Sequence, residues 1–239
     1  MNRDKKTIGI LCVLVAVLLV FAWLYQKKTF SPDDAEPVTA QGFKLNTIVT
    51  VTLYDSDDED LAQEALDLCD KYEKLFSRTL SSSELYQLNE RSLPSSDGWY
   101  TLSQETADLI ETGLSYSSLS QGAFDLTIEP VSSLWNFTSE EKVVPDKSAV
   151  EAALPLVDYT KVTLNGNHIR FDSPDMGLDL GAVAKGYIAD RIKDFLVEKG
   201  IKSGIINLGG NVLCIGGRTD GTPFKIGIQK PFADRSETL

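Results

Sequence analysis

Apolar and polar positions follow two rhythms along this chain, and the switches between them outline its elements. Within Gly42 to Tyr54 the run Thr47-Ile-Val-Thr-Val-Thr-Leu-Tyr54 is β-branched and roughly alternating, which predicts a strand. Next, Leu61, Ala65, Leu68, Tyr72 and Leu75 recur at helical spacing with charges between them. That pattern predicts an amphipathic helix lying on a sheet, and Ser56-x-x-Glu59 offers it a capping box. Ser81 to Arg91 predicts a short helix entered from a serine cap. Ser103 opens another, with Ala107, Ile110 and Leu114 facing inward and Gly122 past its end. Ser148-x-x-Glu151 caps a short helix that stops before Pro155, and Val162 to Phe171 reads as a hairpin around Asn165-Gly166. Ala182 to Lys199 predicts a helix with Ala184, Ile188, Ile192 and Phe195 on one face and Gly200 after its last turn. Two further strands are expected at Ser203 to Leu208 and Phe224 to Gln229. The class is α+β, with helices covering a mostly antiparallel sheet.

The N-terminus changes the picture. Thr7 to Tyr25 carries no charge and has the length of a membrane span. Arg3, Lys5 and Lys6 precede it, as at the start of an exported chain. Trp23-Leu24-Tyr25-Gln26 offers no small-x-small cleavage site, and Cys12 lies inside the run, where it cannot serve as a lipid-attachment cysteine. The expected layout is a cytoplasmic segment 1–6, an anchor or signal segment 7–25, a tether 26–41 rich in Ser, Pro, Asp and Glu, and a domain 42–239 outside the cytoplasm. The chain is thus expected to be a single-pass protein of the cell membrane.

Composition narrows the chemistry. With 42% apolar and 24% charged residues the chain can build a core. A formal net charge of −12 argues against a nucleic-acid partner. It suits a ligand held through a divalent metal, and equally plain solubility. Cys12, Cys69 and Cys214 show no paired spacing, so neither a zinc site nor a disulfide framework is indicated. The only histidine, His168, follows a turn-like Asn165-Gly166-Asn167 and reads as a surface residue. Ser-His and Cys-His pairs are thereby disfavoured, leaving carboxylates, hydroxyls, a lysine or a metal.

Three stretches could carry that chemistry. Gly122-Ala123-Phe124-Asp125, followed by Leu134-Trp135-Asn136-Phe137, could give a backbone-lined cleft with rings to stack on a flat ligand; the rings could equally be core, and Asp125 a turn residue. Asp179-Leu180-Gly181-Ala182-Val183-Ala184-Lys185-Gly186 ends an extended segment and starts a helix, whose free amides and Lys185 would attract phosphate. The carbonyls of that turn could also ligate a hard cation, and Asp179 could simply cap the helix. Asn207-Leu208-Gly209-Gly210-Asn211 permits close backbone approach to a ligand, or a plain hairpin turn.

In order and spacing these stretches, with Phe76-Ser77 and Ser83-Glu84-Leu85-Tyr86-Gln87-Leu88-Asn89 before them and Ile228-x-x-Pro231 after, resemble the FAD:protein FMN transferase (ApbE-like) family over Gly42 to Pro231. The resemblance implies a Mg2+-dependent enzyme that splits FAD, passes FMN to a threonine of an exported electron-transfer protein and releases AMP. It implies flavin and adenine contacts at Ala123, Phe124 and Asp125, nucleotide contacts with catalytic roles at Asp179 and Lys185, and a metal ligand at the Ala182 carbonyl. It also implies cofactor contacts at Leu45, in Leu45-Asn46-Thr47 where the family tends to have a flavin-contacting methionine, and at Thr79, where it often has a stacking aromatic residue. The family continues into a second half of the sheet whose aspartate and threonine complete the metal site. A chain ending at Leu239 is therefore expected to be an incomplete gene product that transfers no FMN alone. Two alternatives stay open: an FAD-binding or FAD-hydrolysing relative that modifies no protein, and an exported binding domain without chemistry.

Overall fold

The computed structural model describes residues 36–137 and 143–231. The expected membrane segment 7–25 lies outside them; among the described residues no helix is long and apolar enough to cross a membrane. Among the described residues the first element is β1 (Val38–Lys44), so a strand occupies the end of the stretch read as tether.

A two-residue turn, Leu45-Asn46, folds β1 onto β2 (Thr47–Leu53) with Lys44 opposite Thr47. Both turn residues are left-handed, at φ 51° and 60°, as a type I′ hairpin requires. Asparagine tolerates that conformation and leucine does so at a cost, so Leu45 is a strained residue held by its surroundings. α1 (Glu59–Phe76) follows. Its cap is Asp58, whose Oδ1 accepts the Leu61 N–H at 2.9 Å, rather than the expected Ser56–Glu59 box; the Ser56 hydroxyl instead accepts the Asp58 N–H. Leu61, Ala65 and Tyr72 are buried as the periodicity predicts, together with Ala62, Leu66, Cys69 and Phe76.

α2 (Glu84–Asn89) starts at a Ser83 cap. β3 (Ser95–Ser96) and β4 (Trp99–Thr101) lead into α3 (Gln104–Leu119), which starts at Ser103 as expected. Glu84 supplies the reciprocal half of that cap from another helix: its carboxylate accepts the Ser103 N–H at 2.7 Å and the Ser103 hydroxyl at 2.6 Å, and also the Thr106 hydroxyl. A short α4 (Glu129–Ser132) comes next. α5 (Lys147–Ala153) starts behind Asp146, so Ser148 lies inside the helix instead of capping it. The hairpin β5 (Val162–Asn165) and β6 (His168–Phe171) stands where the Asn-Gly turn put it. His168 is exposed, within hydrogen-bond reach (3.1 Å) of the Thr101 hydroxyl.

α6 (Gly181–Glu198) runs into β7 (Gly204–Leu208), and a Gly209-Gly210 turn carries β7 into β8 (Asn211–Ile215). The second late strand is therefore β8; Phe224 to Gln229 forms no strand among the described residues, Gln229 alone being a bridge residue. Gly209 is required where it stands: a Cβ would fall 2.2 Å from the Thr47 hydroxyl.

Among the described residues every strand pair is antiparallel, as expected, but the strands form two four-stranded sheets, ordered β1-β2-β7-β8 and β3-β4-β6-β5. Val49, Val51 and Leu53 of β2 join Ile206 and Leu208 of β7 on one face of the first sheet. Against it lie α1 and α6, locked by Tyr72, Phe76 and Tyr187, whose ring centroids are 5.6–5.9 Å apart. The free Cys69 thiol is pushed up to about 12, chiefly by burial, which makes it an inert packing group.

One side chain ties this core to the segment before α6. Asn89, ending α2, donates to the Leu178 carbonyl and accepts its N–H, both at 2.9 Å. Leu178 is fully buried, so its backbone has no water to turn to. Asn89→Ala should therefore lower unfolding free energy by about 2–4 kcal/mol in urea titrations; a loss under about 0.5 kcal/mol would show the tie to be dispensable.

Candidate functional site

The extended segment Met176 to Leu180 meets the loop after α3 edge to edge. Ile128 and Gly177 form a parallel bridge, and the Asp179 N–H donates to the Leu126 carbonyl at 2.8 Å. The two stretches expected to share a ligand are thus direct neighbours. α4 lies against the same segment through Glu129 and Ser132, three residues apart and so on one helical face. Gly177 leaves room for Glu129, since a Cβ there would fall 2.3 Å from its carboxylate oxygen.

Asp179 is the junction. Its Oδ1 accepts the Gly181 N–H, at the first residue of α6, at 2.9 Å. Its Oδ2 accepts the Ser132 hydroxyl at 3.0 Å and pairs with Arg78 Nε at 3.1 Å. The start of α6, α4 and the end of α1 thus converge on one carboxylate. Arg78, two residues beyond α1, was not among the residues singled out by sequence.

Helical geometry then shares out the start of α6 between two cavities. Gly181, Ala184, Lys185 and Ile188 line the first, of about 310 Å³, with Asp179, Arg78, Thr79, Leu45, Tyr72 and Phe76 among the other walls. Phe137 from the aromatic stretch joins them. Ala182, Val183, Gly186, Tyr187 and Asp190 line the second, of about 570 Å³, with Phe124, Tyr116 and Asn211. Leu45, Thr79, Asp179 and Lys185 therefore come together, while Phe124 and Ala182 meet on the neighbouring flank.

Two expected contacts line neither cavity. Ala123 sits exposed on the turn after α3. Asp125 spends its carboxylate on the backbone: Oδ1 accepts the Thr127 N–H and hydroxyl at 2.8 and 2.7 Å, and Oδ2 accepts the Tyr159 N–H at 3.0 Å. In this structure Asp125 acts as a turn residue that shapes the loop. Asp125→Ala should cost about 1–3 kcal/mol of stability by stranding those donors; an unchanged urea midpoint would contradict that role.

The expected metal ligand, Ala182, stands in the first turn of α6, where its carbonyl belongs to the helix ladder. Among the described residues no three His, Cys, Asp or Glu side chains gather closely enough to hold a metal ion. These residues do not by themselves fit magnesium, and no chemical step is assigned to it.

Glu129 adds a second carboxyl behind Asp179. Burial pushes its pKa up; Arg78 and Arg91 pull it down, and the charges of Asp179 and Glu90 add to the rise. The folded protein therefore holds the Glu129 proton more tightly than the unfolded chain. Stability from this group is present below the ordinary carboxylate range and is lost as pH rises through the raised folded value. Glu129→Gln should remove that loss and stabilise the protein at neutral pH relative to pH 4; equal shifts at both pH values would contradict the assignment.

With this geometry in view, comparison with known proteins decides the family. A family model, the ApbE family, matches residues 45–239. The chain belongs to the ApbE family. A curated relative from Klebsiella pneumoniae, an "FAD:protein FMN transferase", is 35% identical over 194 residues, covering 80% of this chain and 58% of its own length. One of the same name from Escherichia coli K12 is 27% identical over 228 residues, covering 91% and 64%. Among solved structures, Flavin Transferase ApbE from Vibrio cholerae superposes with a TM-score of 0.75 at 26% identity, covering 86% of this chain and 67% of that one. The apbe protein from Thermotoga maritima gives 0.74 at 26% identity, covering 85% and 67%. The chain spans roughly three-fifths of the length of these curated ApbE relatives.

Proposed function

We propose that this ApbE-family chain is an FAD:protein FMN transferase that binds FAD at the start of α6, transfers FMN to a threonine of an exported electron-transfer protein and releases AMP. The observation that carries the reading is the first cavity, where Arg78 and Lys185 share a wall with the first turn of α6 and with Leu45, Tyr72 and Phe76. Cations and a helix N-terminus suit a pyrophosphate, while apolar and aromatic walls suit a flavin or adenine ring.

The reaction balances simply. The threonine oxygen bonds to the FMN phosphorus, the anhydride P–O bond breaks, AMP departs with that bonding pair, and the hydroxyl proton passes to solvent water. Lys185 would hold charge that develops on the phosphoryl oxygens. Asp179, occupied by Arg78, Ser132 and the Gly181 N–H, would position that wall instead of taking the proton. Magnesium dependence belongs to the same reading and is supported by the resemblance alone. Anchoring in the cell membrane through residues 7–25, with the domain outside the cytoplasm, is supported by the uncharged run there.

The test uses the full 239-residue chain in detergent with FAD, Mg2+ and a threonine-bearing target. FAD should bind, and Lys185→Ala should weaken binding on the order of tenfold, the worth of one charged hydrogen bond. In-gel flavin fluorescence on the target would bear out the transfer. Release of AMP and FMN without labelling would favour a hydrolase, and a chain that binds no FAD would contradict the reading.

A further inference from the structure

Arg78 has more donors than its protein partners use. Its Nε meets Asp179 Oδ2 at 3.1 Å, and that is the one ion pair it makes among the described residues. No hydrogen bond engages its two terminal nitrogens within the described structure. The side chain is largely sheltered, at 20% exposure, and still lines the first cavity beside Lys185. A guanidinium carries five N–H donors in a fixed plane, so docking through Nε leaves a two-nitrogen fork to be used elsewhere.

Asp179 makes a firm post for that fork. Both its oxygens are committed, to the Gly181 N–H and to Ser132, and its own N–H is held by the Leu126 carbonyl. Leu178, the residue before it, is gripped by Asn89. A guanidinium resting on a post fixed at this many points loses little freedom when it binds. Net charge does not explain the arrangement, because Glu73 and Asp179 line the same cavity as the two cations. What the wall offers a phosphate is aimed donors, and a fork matches two phosphoryl oxygens as a point charge does not.

We propose that Arg78 is a specificity-determining residue of the first cavity, docked on Asp179 so that its two terminal nitrogens grip a phosphoryl group and select phosphorylated flavins over the bare flavin. The inference rests on the reading of this cavity as an FAD site and adds to it a residue that recognises one part of the ligand. A purely structural Arg78, clamping the end of α1 to Asp179, would affect every ligand alike.

The experiment measures equilibrium binding of FAD, FMN and riboflavin to the full chain by flavin fluorescence, for wild type, Arg78→Lys and Arg78→Met, with thermal melts as a folding check. Arg78→Met should weaken FAD and FMN at least about tenfold while riboflavin changes by less than about twofold, the loss expected for charge-assisted hydrogen bonds. Arg78→Lys, which keeps the charge and can still pair with Asp179, should fall between wild type and Arg78→Met for FAD and FMN. If Arg78→Met fails to fold, Arg78→Lys decides on the same comparison. Equal weakening of all three flavins, or none of any, with wild type binding FAD, would overturn the inference and leave the FAD site standing. A wild-type chain that binds no FAD would overturn both.

Discussion

The start of α6 stays where it is because one carboxylate is held from three directions. Asp179 receives Arg78 from just past α1, the Ser132 hydroxyl from α4 and the Gly181 N–H from α6 itself. Arg78 and Ser132 lie far from Asp179 in sequence and meet it only when the core between α1, α6 and the first sheet has formed. Asn89 fixes the preceding residue from α2, so the junction also draws on a fourth element. Removing the charge of Asp179 would loosen the helix start, the end of α1 and the wall of the first cavity together.

From that anchoring the division of the site follows by helical geometry. Residues at i, i+3, i+4 and i+7 share a helix face. Gly181, Ala184, Lys185 and Ile188 therefore turn toward Arg78 and Leu45, while Ala182, Val183, Gly186 and Tyr187 turn toward Phe124. Tyr72 and Phe76 line one cavity, Tyr187 lines the other, and the three rings pack on each other, so the two flanks share a rigid aromatic wall. The strained turn at Leu45 belongs to the same scheme. Its side chain lines the first cavity from a left-handed residue that glycine or asparagine would occupy with less cost.

The sequence was most legible where local pattern and packing agree. α1 and α6 declared themselves by periodicity, α3 by its Ser103 cap, and the β5–β6 hairpin by Asn165-Gly166. Local pattern failed where partners are distant. The cap of α1 passed from Ser56 to Asp58, and Phe224 to Gln229 alternates like a strand but forms none among the described residues, Gln229 alone being a bridge residue. Division of the strands into two sheets is a matter of long-range register that no window of sequence carries. At the site, the family resemblance pointed to Asp179, Lys185, Leu45 and Thr79, and the four line one cavity. It gave no sign of Arg78, because a lone arginine beside a loop acquires meaning only from the carboxylate it meets 101 positions later. Asp125 illustrates the converse: a motif residue whose carboxylate serves backbone donors of its own loop and of Tyr159.

The central claim is that a dinucleotide sits against the first turns of α6 under the guard of Asp179. Amide hydrogen–deuterium exchange with and without FAD tests it most directly, because the claim names the backbone that the ligand must cover. FAD should slow exchange across 77–79 and 181–186, with little change in the β5–β6 hairpin. Protection confined to that hairpin or to β3 and β4, with 181–186 exchanging as before, would contradict the account.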